Sequence, residues 1–247
     1  MICLGLVIAT GISAGRLLAG PPAVPKLSAI VPAEDLAGQL QTYVKELDAA
    51  LADEAAYKSS ADKIKRIANA VAALAFCLDQ HDAPTKSIAR ADDVGGIARR
   101  LAKTADHAAA KQELAALHAA LEQPSTGPRA EMPPPKIASL GQIMSEAEVL
   151  NARLRNSLRR FDARRLADNA RAAAALAAIG QASVYDTHEV KDPKQLPDWY
   201  RLAGEMRDAA GQLNATIRAK DKPGATAALG RLDNSCKACH KIFAPME

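Results

Sequence analysis

The sequence predicts an all-α fold arranged as two tandem helical bundles, the second with four helices, and three observations carry that prediction. Alanine supplies much of the 49% apolar content while aromatic residues make up only 3%, and alanine is the strongest helix former. Apolar residues recur at three- and four-residue steps along most of the chain, the mark of amphipathic helices. Proline-rich breaks then cut the chain into pieces of bundle size. At 247 residues there is room for one large domain or for two of roughly 100–120 residues each.

Residues 2–14 form an uncharged apolar run, followed by Arg16 and a short stretch ending in Ala19 and Gly20. A run of this length is too short to cross a bilayer, which takes about 20 residues, but it fits the core of a signal peptide. No basic residue precedes Ile2, so an uncleaved anchor stands beside a cleaved signal as the reading of residues 1–20. Either one predicts a periplasmic or exported protein, the anchor with residues 2–14 as a membrane tether. Cys3 lies inside this run and is given no role.

Residues 26–122 read as a first helical domain and residues 123–135, rich in proline, as a linker. Residues 136–247 read as the four-helix domain. Its first helix carries the stripe Ile137, Leu140, Met144, Ala147, Leu150, Leu154 and Leu158. A second helix is expected from about Asp162 to Ala182, and a third from an N-cap near Asp198, presenting Leu202, Met206, Leu213 and Ile217. The last presents Ala225, Leu229, Leu232, Cys236, Cys239 and Phe243. Four such stripes joined by short connections are buried most simply in an antiparallel bundle.

The two domains also resemble each other. A shift of 100 positions lays Leu40 on Leu140, Asp62 on Asp162, and Asn69-Ala70 on Asn169-Ala170. Later, a shift of 115 pairs Leu114 with Leu229 and Leu117 with Leu232. Self-similarity on this scale points to a tandem duplication with an insertion near Tyr185 to Tyr200 in the second copy.

The formal charge of +4 is made of charges of both signs spread through the chain, with no dense basic stripe and few aromatic residues for stacking. Nucleic acid is therefore not an expected partner. No nucleophile–base set and no phosphate loop is apparent, so a non-enzymatic role is expected.

One motif carries chemistry. Cys236-Lys237-Ala238-Cys239-His240 is C-x-x-C-H, the attachment pattern of haem c. Thiols three residues apart share one side of a helix and can each bond a haem vinyl group, while the adjoining imidazole is placed to ligate iron. Three other readings compete: a thioredoxin-like dithiol, which expects a strand before the motif; a zinc site, which needs a further ligand pair; and a structural disulfide. Cys77, in the other half, reads as a buried thiol. His81, His107 and His118 read as exposed or capping residues, and His188 as exposed in a loop.

The motif stands on the last of four helices and is followed by Phe243, and in this the region 136–245 resembles the class II cytochromes c, the cytochrome c-prime and cytochrome c556 group. The chain departs from that group in its additional N-terminal half and in a longer loop before Trp199. The resemblance implies a four-helix bundle of cytochrome c-prime type and one haem c per chain, bound at Cys236 and Cys239 with His240 as axial iron ligand. It also implies an exported location, where thioether attachment takes place. In the first half Leu121, Pro124 and Ser125 stand where the motif would be, so that half is expected to be a haem-free copy.

In the resembled group a methionine of the first helix is the second axial ligand in six-coordinate members. Met144 is the candidate, and its counterpart in the haem-free copy is Val44. Core packing by Met144, or ligation by Met206, are the alternatives. Trp199 and Tyr200 either close the bundle end or touch the haem edge. The expected function is electron transfer with redox partner proteins, a homodimer being one further assembly. A five-coordinate haem protein that binds NO or CO is the alternative, and a scaffold with a structural haem a third.

Overall fold

The computed structural model describes residues 22–23, 25–83, 91–122 and 137–244, and among them there are helices and turns but no strand. The leader at 1–20 and the linker at 123–135 lie outside the described residues. The first half contains α1 (Ala33–Ala50), α2 (Glu54–Ser59), α3 (Ala61–Asp79), α4 (Ala91–Leu101) and α5 (His107–Glu122). The second half contains α6 (Leu140–Arg160), α7 (Leu166–Tyr185), α8 (Leu196–Arg218) and α9 (Lys222–Phe243).

Local chemistry sets the ends of these helices. Asp162 does not open α7 but caps a single 3-10 turn, Ala163–Arg165, by accepting a hydrogen bond from the Arg164 N–H. The long helix follows only at Leu166. Helix α8 starts at Leu196, two residues before Asp198, because Pro197 falls in its first turn, where a missing N–H costs nothing. Asp221 caps α9 by accepting from the Gly224 N–H. The corners after α6 and α8 each turn on a residue in the left-handed region, Phe161 (φ 52°) and Lys220 (φ 57°). A non-glycine residue there costs about 1 kcal/mol.

Contacts of α6 with α7, α7 with α8, α8 with α9, and α6 with α9 close the second half into a four-helix bundle. The same order of pairs recurs in the first half, where α1 meets α3, α3 meets α4 and α4 meets α5. Between the halves α1 packs on α7, α3 on α6, and α3 on α7. These contacts are reciprocal, as expected for two related copies facing each other across an approximate twofold axis.

One continuous core runs through both halves. At the seam of α3 and α7, Ala72, Ala73 and Ala75 face a region where Ala172 to Ala175 are all fully buried, and small side chains let the helices approach closely. Gly180 does the same between α7 and α8, since a Cβ there would lie 2.7 Å from the Arg207 backbone nitrogen.

Polar groups fix the rotation of α6 at this seam. The Glu146 side chain is buried and accepts from Tyr43 Oη of α1 at 2.9 Å and from Arg66 Nε of α3 at 2.7 Å. The Asn69 side chain accepts from the Ser139 N–H at 2.7 Å, which satisfies a donor at the start of α6. On the far side, Asn214 of α8 donates to Asp35 of α1 and to the Ala170 carbonyl of α7.

Removing Arg66 leaves a buried charge without its main partner, so Arg66→Ala is expected to lower the unfolding free energy by about 3 kcal/mol. Most of that loss should return in Arg66→Ala/Glu146→Leu, read from urea denaturation of the single and double variants. Burial is the first cause holding the Glu146 carboxyl above its ordinary value of 4.5. The folded state therefore keeps this proton more tightly than the unfolded chain. Its contribution to stability is full below pH 4.5 and is lost as pH rises through the folded-state value. Stability measured against pH in wild type minus Glu146→Gln should fall across that window.

Candidate functional site

The last two turns of α9 bring the motif residues to a cavity at one end of the second bundle. Cys236 and Cys239 are half-buried free thiols, and with His240 they border a space of about 360 Å³. That volume lies within the roughly 300–1,000 Å³ typical of cofactor sites. Leu140, Gly141 and Met144 of α6 form one wall, and Trp199, Leu202 and Met206 of α8 another. Phe243 of α9 contributes to the rim. The surround is apolar apart from a few groups, Ser183, Glu189 and Ser235 among them.

The helical register explains why these groups meet. Positions 236, 239, 240 and 243 recur at three- and four-residue steps and so share one stripe of α9. Positions 140 and 144 do the same at the first turns of α6, and 199, 202, 203 and 206 at the first turns of α8. Antiparallel packing then places the starts of α6 and α8 beside the end of α9.

Trp199 takes the first of its expected places, at the end of the bundle, and also lines the cavity. It is buried, with 4% of its surface exposed, and its indole N–H donates to the Ser183 carbonyl at 2.8 Å. Its ring also meets Phe243 edge-to-face, with centroids 4.9 Å apart. It thus closes the bundle end and lines the cavity in the same position. The partnership with Phe243 was not read from the sequence, although the aromatic ring one turn after Cys239 was visible there. Tyr200, half-buried, packs against the core and is not among the cavity-lining residues.

The thiols are set up against redox exchange. Burial raises the Cys236 thiol above its ordinary value, with Asp233 adding to the effect. Burial likewise pushes Cys239 up to about 11. Dithiol oxidoreductases need a lowered thiol value and a reactive thiolate, so the environment argues against that reading. Among the described residues no group of three or more His, Cys, Asp or Glu is arranged to hold a metal ion, and nothing completes a zinc site around the motif.

The remaining candidates divide between this cavity and the rest of the fold. Met144 is half-buried and borders the cavity, Met206 borders it from α8, and Val44 is a buried core residue of the first half. His81 and His107 engage the carbonyls of Val31 and Leu51, and His118 pairs with Asp48. His188 is exposed and pairs with Asp186 and Glu189. Cys77 is buried, its thiol pushed up to about 12 by burial, with its sulfur 3.6 Å from the Ala178 carbonyl oxygen. Leu121, opposite Cys236 in the repeat, packs against the core, while Pro124 and Ser125 lie outside the described residues.

The donor set suits a haem. Two neutral thiols and an imidazole stand on one helix, Met144 and Met206 line the same cavity from two others, and the remaining wall is largely apolar. Residues 136–244 match the family model described as Cytochrome C'. No curated protein and no solved structure gives a significant match to the chain.

Trp199 is the only tryptophan of the chain, so its emission reports on this cavity alone. Phe243→Ala should move that emission to longer wavelength by opening the ring to water, and should lower stability by about 1 kcal/mol through loss of the aromatic pair. An unchanged emission maximum would show that the pair does not shield the indole.

Proposed function

We propose that this chain, whose residues 136–244 match the Cytochrome C' family model, is an exported monohaem c-type cytochrome that transfers electrons. The observation that supports this reading is the meeting of Cys236, Cys239 and His240 with Met144 around one apolar cavity. A haem bound there supplies an iron that alternates between ferric and ferrous states.

The chain's residues have separate tasks. Cys236 and Cys239 would hold the group covalently through thioethers to its vinyl groups. His240 would ligate its iron from α9, and Met144 is the candidate for a second ligand from α6, where a thioether would raise the reduction potential. Leu140, Leu202 and Met206 keep water from the cavity and lower its dielectric. Glu189, at the wall, favours the more positive ferric state.

A second reading rests on Leu140, which borders the same cavity one turn before Met144. With an apolar side chain over the iron in place of a ligand, the haem would be five-coordinate and open to NO or CO.

The pyridine haemochrome of protein expressed in the periplasm should show one covalent haem per chain in wild type and none in Cys236→Ala/Cys239→Ala. Wild type should be low-spin, and Met144→Ala high-spin with rapid CO binding to the ferrous form, while Met206→Ala keeps the low-spin spectrum. A high-spin wild type unaffected by Met144→Ala would replace electron transfer with the gas-binding reading.

A further inference from the structure

We propose that the end of the second bundle opposite the cavity is a docking surface for an anionic phospholipid bilayer. Helix α6 spans 21 residues, about 30 Å at about 1.5 Å per residue, with the cavity at its start and this end at its finish. The α6–α7 and α8–α9 corners meet there, because α6 and α8 run antiparallel to α7 and α9. Residues 159–165 and 218–222 carry seven Arg or Lys against two Asp. That excess is larger than the formal charge of +4 for the whole chain.

The two acids are already engaged. Asp162 and Asp221 accept backbone N–H groups as caps, and Asp162 also pairs with Arg164. From the packed first half, Glu34 and Asp35 pair with Arg218, and Asp35 also accepts from Asn214. Arg159 meets the neutral Asn156. Arg160, Arg165, Lys220 and Lys222 are exposed and form no salt bridge among the described residues.

The backbone gives a second, independent reason. Lys220 occupies the left-handed corner of α8–α9 (φ 57°), where glycine or asparagine is the low-cost choice. A charged side chain is held at the tip of a turn in spite of that strain. The cations also come from two separate corners, so they call for anions spread over a plane, and a bilayer of acidic lipids provides this. Guanidinium groups suit its phosphates because they bind them in a bidentate way. Docked by this end, the protein would hold its cavity about 30 Å from the surface, facing the aqueous phase. This inference rests on the corners and stands apart from any reading of the cavity.

The test is sedimentation of the full chain with vesicles of phosphatidylcholine alone or mixed with phosphatidylglycerol. Wild type should bind the mixed vesicles at low salt, release at high salt, and bind the neutral ones far more weakly. Arg160→Glu/Arg165→Glu/Lys220→Glu/Lys222→Glu should bind the mixed vesicles on the order of a hundredfold more weakly. A matched variant, Lys45→Glu/Lys58→Glu/Lys103→Glu/Lys111→Glu, should keep most of the binding, and circular dichroism should show both variants folded. If the first variant does not fold, Lys220→Glu/Lys222→Glu serves in its place, with a loss of roughly tenfold expected. The proposal is overturned by absent binding, by equal binding to neutral vesicles, or by equal losses in the two fourfold variants. Tighter binding to DNA or to an acidic protein than to the mixed vesicles would overturn it too.

Discussion

Glu146 is 3% exposed, and a carboxylate so placed must have its charge met inside the protein. Its two partners, Tyr43 and Arg66, come from α1 and α3, so the first half helps set the roll of α6, beside the bonds from Asn151 and Arg155 to Asp233 of α9 in its own bundle. The same helix carries Leu140, Gly141 and Met144 into the cavity wall. Asn69, again from α3, fixes the start of that wall through the Ser139 N–H. The half without a haem motif therefore has a structural task at the site: it helps orient the side chains of α6 that border the cavity with Cys236, Cys239 and His240.

Much of the fold was readable from spacing. The stripes of α6, α8 and α9 appear where the three- and four-residue periods put them, except that Ile137 is buried ahead of α6 and outside it, and the alanine-rich composition favoured helix over sheet. Helix starts were less legible, since Asp162 and Asp198 looked like caps of long helices. One caps a 3-10 turn instead, and the other lies inside the first turn opened by Leu196 and Pro197. The motif at residues 236–240 was legible as a haem-attachment pattern because its chemistry is local, with all three groups on one helical stripe. What spacing could not reveal was tertiary: the Trp199–Phe243 pair joins two helices, and the Glu146 cluster joins three. The basic end face was missed for the same reason. Its charges belong to two corners more than fifty residues apart in sequence, and read along the chain they looked dispersed.

Two kinds of surface chemistry are separated along the length of the second bundle. At one end lie an apolar cavity, neutral thiols, an imidazole and thioethers, which suit a buried cofactor. At the other end lie solvated cations on two tight corners, which suit a charged surface. The long helices between them keep these two chemistries apart, so that the field of the cations is largely screened at the cavity under physiological salt.

The alanine-rich seam of α3 and α7 also bears on how the molecule endures low abundance. Two separate chains meeting through such a face would part on dilution, since small side chains contribute little area each. Here both faces belong to one polypeptide, and their encounter is governed by a fixed effective concentration and not by the amount of protein present. The helix that positions the cavity wall keeps its supports however scarce the protein becomes.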